Sequence, residues 1–390
     1  MKLLFYSHSF APSVGGVETI VLSLARGLAE VRTSQGSPEF ELTLATQTPA
    51  ESFDDRLLPF RVLRQPTMVQ LRRLIRLSEI IHVAGPALSP VAFGLLAGKP
   101  VVVEHHGFQV ICPTGQLLVE PEQSPCPGHF MAGRHLECLR CRSDGNWVAS
   151  FKLWILTFVR RFLCARVDAN ILPTQWLSPL LKLPNTVSIP HGIEAIAAGT
   201  PTPNLSRPPV IVFQGRLVTT KGVRVLLEAA NKLCSGGRQF ELMVIGDGPE
   251  RDALQQLSRK LQLSSFVRFV GRLSAVDLES AFLNASVVVV PSLGGEVFGL
   301  VVAENMSRGL PIVASNLGAF AEVLGESGLT FGVGDANQLA RQLTLVLDDA
   351  ALAADFGRRA KRRVAEVFPR HRMIEAHAKL YRQLITSRNR

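Results

Sequence analysis

No run of about 18 uninterrupted apolar residues occurs in the 390-residue chain, so a membrane-spanning helix is not expected. Met1-Lys2-Leu3-Leu4-Phe5-Tyr6 reads directly as a strand, with no small-residue cleavage pattern after an apolar core. That argues against a signal peptide, and the expected location is cytoplasmic. The chain also lacks Asp-x-Asp, the acidic pair that would hold a divalent metal against phosphates. Any phosphate bound here must therefore be neutralised by cationic side chains and backbone amides, and no metal is expected to be required for catalysis. The one strongly basic region, Arg358 to Arg390, has eleven Lys or Arg against two Glu. It has a single Tyr for base stacking and no recognisable reader motif, so nucleic acid is not an expected partner. Attraction to anionic lipid head groups or a solvated helix face is left for that tail.

A hydrophobic content of 47% over this length can fill two cores, so two domains are expected. Two stretches share one design of strand, glycine-bearing loop and helix. The first runs Lys2–Ser7, His8–Gly16, Val17–Leu28; the second runs Val210–Phe213, Gln214–Gly222, Val223–Leu233. Further strands are expected at Leu42–Thr46, Ile80–Val83, Val101–Glu104 and Ala169–Leu172, then at Glu241–Ile245, Val267–Val270, Val287–Val290 and Ile312–Ala314. The pattern is α/β, with two Rossmann-like doubly wound domains facing across a cleft. The expected division is 1–190 for the first, acceptor-side domain, with a Cys-rich insertion at about 107–146. A Pro/Gly/Ser/Thr-rich linker follows at 191–209, then the second domain at 210–368. A helix at 369–390 is expected to pack back on the first domain.

The most informative segment is Glu296-Val-Phe-Gly-Leu-Val-Val-Ala-Glu304. It follows the buried-strand run Val287–Val290 and precedes Gly309-Leu310-Pro311, a helix stop. A helix is thus expected to begin near Gly299, leaving the amides of about Phe298 to Val301 free to bind an anion. Glu296 would repel that anion unless it faces something else. Upstream, Arg216 and Lys221 flank the turn after the first strand of the second domain, an Arg fork and a compact Lys charge suited to a diphosphate. Taken alone, an Arg and a Lys in a loop are more often surface charges.

Together the motifs Gly215-Arg216-x4-Lys221-Gly222, Gly246-Asp247-Gly248-Pro249, Phe269-x-Gly271, Pro291-Ser292-x3-Glu296-x-Phe298-Gly299-x4-Glu304 and Gly309-x-Pro311-x-Val313-Ala-Ser315 resemble the donor half of the retaining family 4 glycosyltransferases. Pro12-x2-Gly15-Gly16-x-Glu18 resembles that family's first loop, so the likeness covers most of the chain. It implies the GT-B fold of the glycogen-synthase-like superfamily. It also implies a nucleoside-diphosphate-sugar donor and a glycan or lipid-linked acceptor. By resemblance His106, Arg216, Lys221 and Glu296 serve the reaction, with Arg216 and Lys221 stabilising the departing diphosphate and Glu296 holding sugar hydroxyls. Gly15, Gly16, Gly215, Arg272, Phe298, Gly299, Leu300 and Glu304 bind the donor, Glu304 through its ribose. His106 matches the family's cleft histidine better than His105. His191-Gly192-Ile193-Glu194 departs from the family's Asn-Gly-Val-Asp hinge at both ends, so no ligand role is expected there.

Cys112, Cys126, Cys138 and Cys141 lie within thirty residues, and Cys138-x2-Cys141 has the gap that lets two thiolates hold one zinc. Structural zinc, free thiols in a folded loop, and a redox or iron–sulfur role are the readings open there. Val69–Leu77 and Phe151–Leu163 mix apolar residues with cations at helical spacing, which suits either core-facing helices with snorkelling cations or a peripheral membrane contact. Two rivals to the transferase reading remain: a nucleotide-sugar epimerase of similar architecture, and a catalytically idle sugar-nucleotide-binding protein.

Overall fold

The computed structural model describes residues 1–51, 53–142, 144–194 and 208–388, so most of the expected linker, 195–207, lies outside the described residues. The first sheet is built from β1 (Lys2–Ser7), β2 (Glu41–Thr46), β3 (Arg61–Arg64), β4 (Ile80–Ala84) and β5 (Val101–Glu104). A small antiparallel ribbon, β6 (Leu118–Val119) with β7 (Ser124–Pro125), interrupts it, and β8 (Ala169–Leu172) and β9 (Thr186–Ser188) complete it. The second sheet takes β10 (Val210–Gln214), β11 (Glu241–Ile245), β12 (Val267–Gly271), β13 (Val287–Val290), β14 (Ile312–Ser315) and β15 (Leu329–Phe331).

All pairings within the two large sheets are parallel, with orders β3-β2-β1-β4-β5-β8-β9 and β12-β11-β10-β13-β14-β15. Helices cover both faces, so the central strands are apolar on both sides, as in the fully buried Val287–Val290. In each sheet the chain order reverses beside the first strand, between β1 and β4 and between β10 and β13. The crevice at the carboxyl ends of strands flanking such a reversal is where ligands bind.

Within the two large sheets, the three strands absent from the expected set, β3, β9 and β15, are all edge strands. Their burial is partial, with β3 wholly intermediate or exposed, so they carry no long apolar run to reveal them. The last helix, Arg370–Arg388, lies on the first domain. Arg370 donates to the Ser23 hydroxyl and carbonyl, Arg382 is bidentate on Glu39 at 2.6 Å, and Arg388 reaches Asp168 at 2.9 Å. These cations tie the helix to the first domain. Beside it, the chain entering and the chain leaving the second domain run in parallel, with Ile193 N–H donating to Phe368 and Arg370 N–H to Ile193.

Candidate active site

The two switch points meet. Gly16 opens the helix Gly16–Glu30 directly after the β1 loop, and a methyl group added there would lie 3.2 Å from Leu300, the first residue of the helix Leu300–Ser307. Two helix amino termini, one from each domain, thus point into one cavity of about 180 Å³. Its walls include Gly16, His106, His191, Lys221, Glu296 and the segment Phe298–Val301.

Lys221 reaches this cavity because of its neighbour. Gly222 has φ +65°, and a Cβ there would stand 2.0 Å from the Pro291 carbonyl oxygen. Only glycine lets the loop approach the end of β13 so closely. Lys221 Nζ then lies 2.5 Å from Glu296 Oε1, which also accepts from the Ser292 hydroxyl at 3.0 Å. Glu296 therefore faces a cation and a donor, as the sequence required of it. The pair is partly exposed and worth roughly 0–1 kcal/mol, so a doubly charged diphosphate can take Lys221 away from it.

His106 lines the cavity and stacks on His191, with ring centroids 5.3 Å apart and planes 19° apart. His105 turns the other way, its Nε2 2.9 Å from Asn170 Oδ1 in the buried edge of β8. His191 also packs on Phe298 at 5.1 Å. The hinge histidine that departs from the family pattern is thus a wall of the site.

Behind His106 stands a cluster that sequence reasoning missed. Glu104, fully buried at the end of β5, has His82 Nε2 at 3.2 Å, His191 Nδ1 at 3.4 Å, His106 Nε2 at 3.6 Å and His377 Nε2 at 3.9 Å. Tyr381 Oη and His82 Nδ1 share a hydrogen bond at 2.7 Å, and burial pushes the Tyr381 phenol well above its ordinary value. Burial lowers all four histidines that surround Glu104, His82 to about 3 and His377 to about 4. The Glu104 charge opposes the shift at His106 and His377. Among the described residues, His82–Glu104–His377 and Glu104–His106–His191 each bring three ligand atoms within 4.8 Å, close enough to share a proton or a small cation. The signal available in the sequence was a Glu between valines and two histidines on a strand end; the partners His82 and His377 are too far away in the chain to be read with it.

The other expected residues divide. Phe298, Gly299 and Leu300 line the cavity, whereas Gly15 and Gly215 stand in the loops just behind it. Glu304 lies one turn along its helix, where burial pushes its carboxyl up while Arg308 pulls it down and Glu279 adds to the rise. Two of the expected residues stand apart from the cavity. Arg216 is exposed and does not line the cavity, although its loop delivers Lys221. Arg272 is exposed at the end of the edge strand β12, two strands removed from the switch point. Cys112, Cys126, Cys138 and Cys141 converge on a separate small pocket.

Residues 200–363 match the family model described as glycosyl transferases group 1. Glycogen synthase of Mycobacterium tuberculosis is 32% identical over 292 residues, covering 73% of this chain and 69% of that protein. The chain belongs to the group 1 glycosyltransferases. Phosphatidyl-myo-inositol mannosyltransferase of Mycolicibacterium smegmatis is 34% identical over 209 residues, 52% of this chain and 53% of that protein. The chain thus spans about half the length of the mannosyltransferases it matches. Sucrose-phosphate synthase from Thermosynechococcus elongatus superposes with a TM-score of 0.74 at 20% identity, covering 99% of both chains. HepE of Anabaena, solved in complex with UDP-glucose, gives 0.73 at 17% identity over 98% of this chain and 100% of that one. These likenesses place this group 1 glycosyltransferase in the GT-B fold.

Proposed function

We propose that this glycosyltransferase transfers a hexosyl group, with retention of configuration, from a nucleoside-diphosphate sugar to a glycan or lipid-linked acceptor. The observation that carries the reading is the convergence of Lys221, two helix amino termini and His106 on one cavity. A diphosphate there meets the Lys221 charge and the free amides of both helices, while the sugar extends toward His106 and Glu296. Loss of the diphosphate leaves an oxocarbenium-like sugar, and preorganised donors facing the leaving group lower that barrier most. The acceptor attacks on the departing face, with a diphosphate oxygen taking its proton. Glu304 on the ribose and Gly15, Gly215 and Arg272 around the nucleotide complete the donor contacts by family resemblance. Arg216 joins the diphosphate only by folding inward over its loop.

Incubated without acceptor, the protein should slowly hydrolyse one nucleotide sugar of a panel and release the anomer that the donor carried. Release of the opposite anomer would remove retention, and binding without turnover would favour an idle binding protein.

We further propose a peripheral contact with anionic membrane, which suits a lipid-linked acceptor and a cytoplasmic-face location. No helix among the described residues is long and apolar enough to cross a membrane. The helix Trp147–Cys164 nevertheless exposes Trp147, Val148, Phe151 and Phe162, between 50% and 81% accessible. It continues through the helix Leu88–Leu96, with Leu96 85% exposed, to the helix Met68–Leu77 with Val69. Exposed Lys152, Arg73 and Arg76 add positive charge to this surface. Flotation with anionic vesicles should occur at low salt and fail in high salt, and Phe151→Glu with Phe162→Glu should abolish it. Absence of flotation at low salt would end this reading.

A further inference from the structure

The insertion that follows His106 is not a loose loop. It crosses to the second domain and touches the segment that carries Glu296. Leu118, on the ribbon strand β6, is 1% exposed and belongs to the core of the second sheet together with Leu217 and Leu293. A Cβ at Gly294 would lie 2.7 Å from the Gln116 carbonyl oxygen, so glycine is needed for the ribbon to lie against this loop. From the other side, Thr174 donates to the Val297 carbonyl at 2.9 Å. The Ser292–Phe298 segment, which supplies Ser292 and Glu296 to the cavity, is therefore set partly by a piece of the opposite domain.

What holds that piece together is small. Its regular structure amounts to a ribbon of two residues per strand and the six-residue helix His135–Arg140. At its centre Cys112, Cys126, Cys138 and Cys141 surround a cavity of about 10 Å³, with His129 beside them. Three of the four are buried, and all four are free. Backbone bonds tie the same residues to the ribbon. Cys126 N–H donates to Leu117 at 2.8 Å, Glu120 N–H donates to Cys141 at 3.1 Å, and Cys141 Sγ donates to the Leu118 carbonyl at 3.1 Å. Four cysteines brought together from positions 29 residues apart are an unusual filling for an apolar core. Thiolate sets of this kind select zinc or iron–sulfur clusters, and room for one atom-sized guest favours a single ion. Among the described residues no three of these sulfurs lie within 4.8 Å of one another, so an ion would draw them inward to the roughly 3.8 Å spacing that tetrahedral thiolates about 2.3 Å from zinc require.

We propose that Cys112, Cys126, Cys138 and Cys141 bind one zinc ion, which locks the insertion and through β6 positions the Ser292–Phe298 segment of the donor site. The positioning half rests on the glycosyltransferase reading; the metal half does not. Elemental analysis of the purified full chain should give one zinc per chain, released by a thiol-specific mercurial. Cys234→Ser, outside the cluster, should keep the ion, and Cys138→Ser with Cys141→Ser should lose it. The double variant, or wild type depleted by a chelator if that variant fails to fold, should show a KM for nucleotide sugar raised about tenfold or more. No zinc in the wild type, zinc that survives the mercurial, zinc retained in the double variant, or disulfides among the four cysteines would overturn the metal site. Zinc loss with an unchanged KM would overturn the positioning role. Stoichiometric zinc in a protein that turns over no nucleotide sugar would instead fault the transferase reading.

Discussion

Replacing Lys221 by Ala should slow both sugar transfer and acceptor-free donor hydrolysis by about 100- to 1000-fold, the usual cost of removing one preorganised donor to developing negative charge. The residue lies on the cavity wall, delivered by a glycine loop pressed against the end of β13. Its resting partner, Glu296, keeps the Ser292 hydroxyl when Lys221 is gone, so little stability should be lost with it. Melting temperature within a few degrees of wild type would separate a chemical loss from a folding one. Lys221→Arg should recover part of the rate, since the charge returns in a bulkier, planar form. A loss below threefold for Lys221→Ala would mean that no diphosphate departs beside this side chain.

The second large effect belongs to Glu104. Four imidazoles face its fully buried carboxylate, two of them, His106 and His191, from the cavity wall. Glu104→Ala removes the group that the four imidazoles surround and opens a hole beside His106, which should cost about 3 kcal/mol. Thermal unfolding should shift down by several degrees, and activity should fall with it because His106 and His191 lose the group that they share. Glu104→Gln, equal in shape, should recover most of the stability and less of the rate. Activity unchanged in both variants would reduce the cluster to a packing feature.

The same cluster gives a pH dependence. In the unfolded chain these histidines take up protons near their ordinary value of 6.5, whereas in the folded protein His377 does so only near 4 and His82 only near 3. Their contribution to stability is therefore complete above pH 6.5 and is lost as pH falls from there toward 4 and then 3. Glu304, whose carboxyl is raised, works in the opposite sense, favouring the folded state as acid is added. With four lowered histidines around Glu104 against one raised carboxyl, the melting temperature should fall steadily below pH 6.5. A flat profile from pH 7 to 4 would contradict the neutral, buried cluster.

How much of this could be read from the residues alone follows from where each feature lies in the chain. The central strands announce themselves as apolar runs, and the cavity loops are local: Gly222, Glu296 and Gly299 each sit within a few residues of the turn that they shape. Lys221 and the Leu300 helix were legible for that reason. The edge strands β3, β9 and β15 were not, because partial burial leaves them short of apolar residues. The Glu104 cluster was hidden more deeply, since its members come from β4, β5, the hinge and the last helix, and only the folded chain brings them together. The individual partners of the tail were hidden for a related reason: Arg370, Arg382 and Arg388 meet residues more than two hundred positions away. Arg216 and Arg272 show the reverse limit, in that a family motif fixes a position in the loop but not the direction of a long side chain.

The account stands or falls on whether pyrophosphate occupies the crevice between the two domains. Calorimetric titration of a nucleoside diphosphate into wild type and Lys221→Ala should give saturable one-to-one binding that is at least tenfold weaker in the variant. Equal affinity for the two proteins, or no binding to wild type by any nucleoside diphosphate tried, would place the anion elsewhere and contradict it.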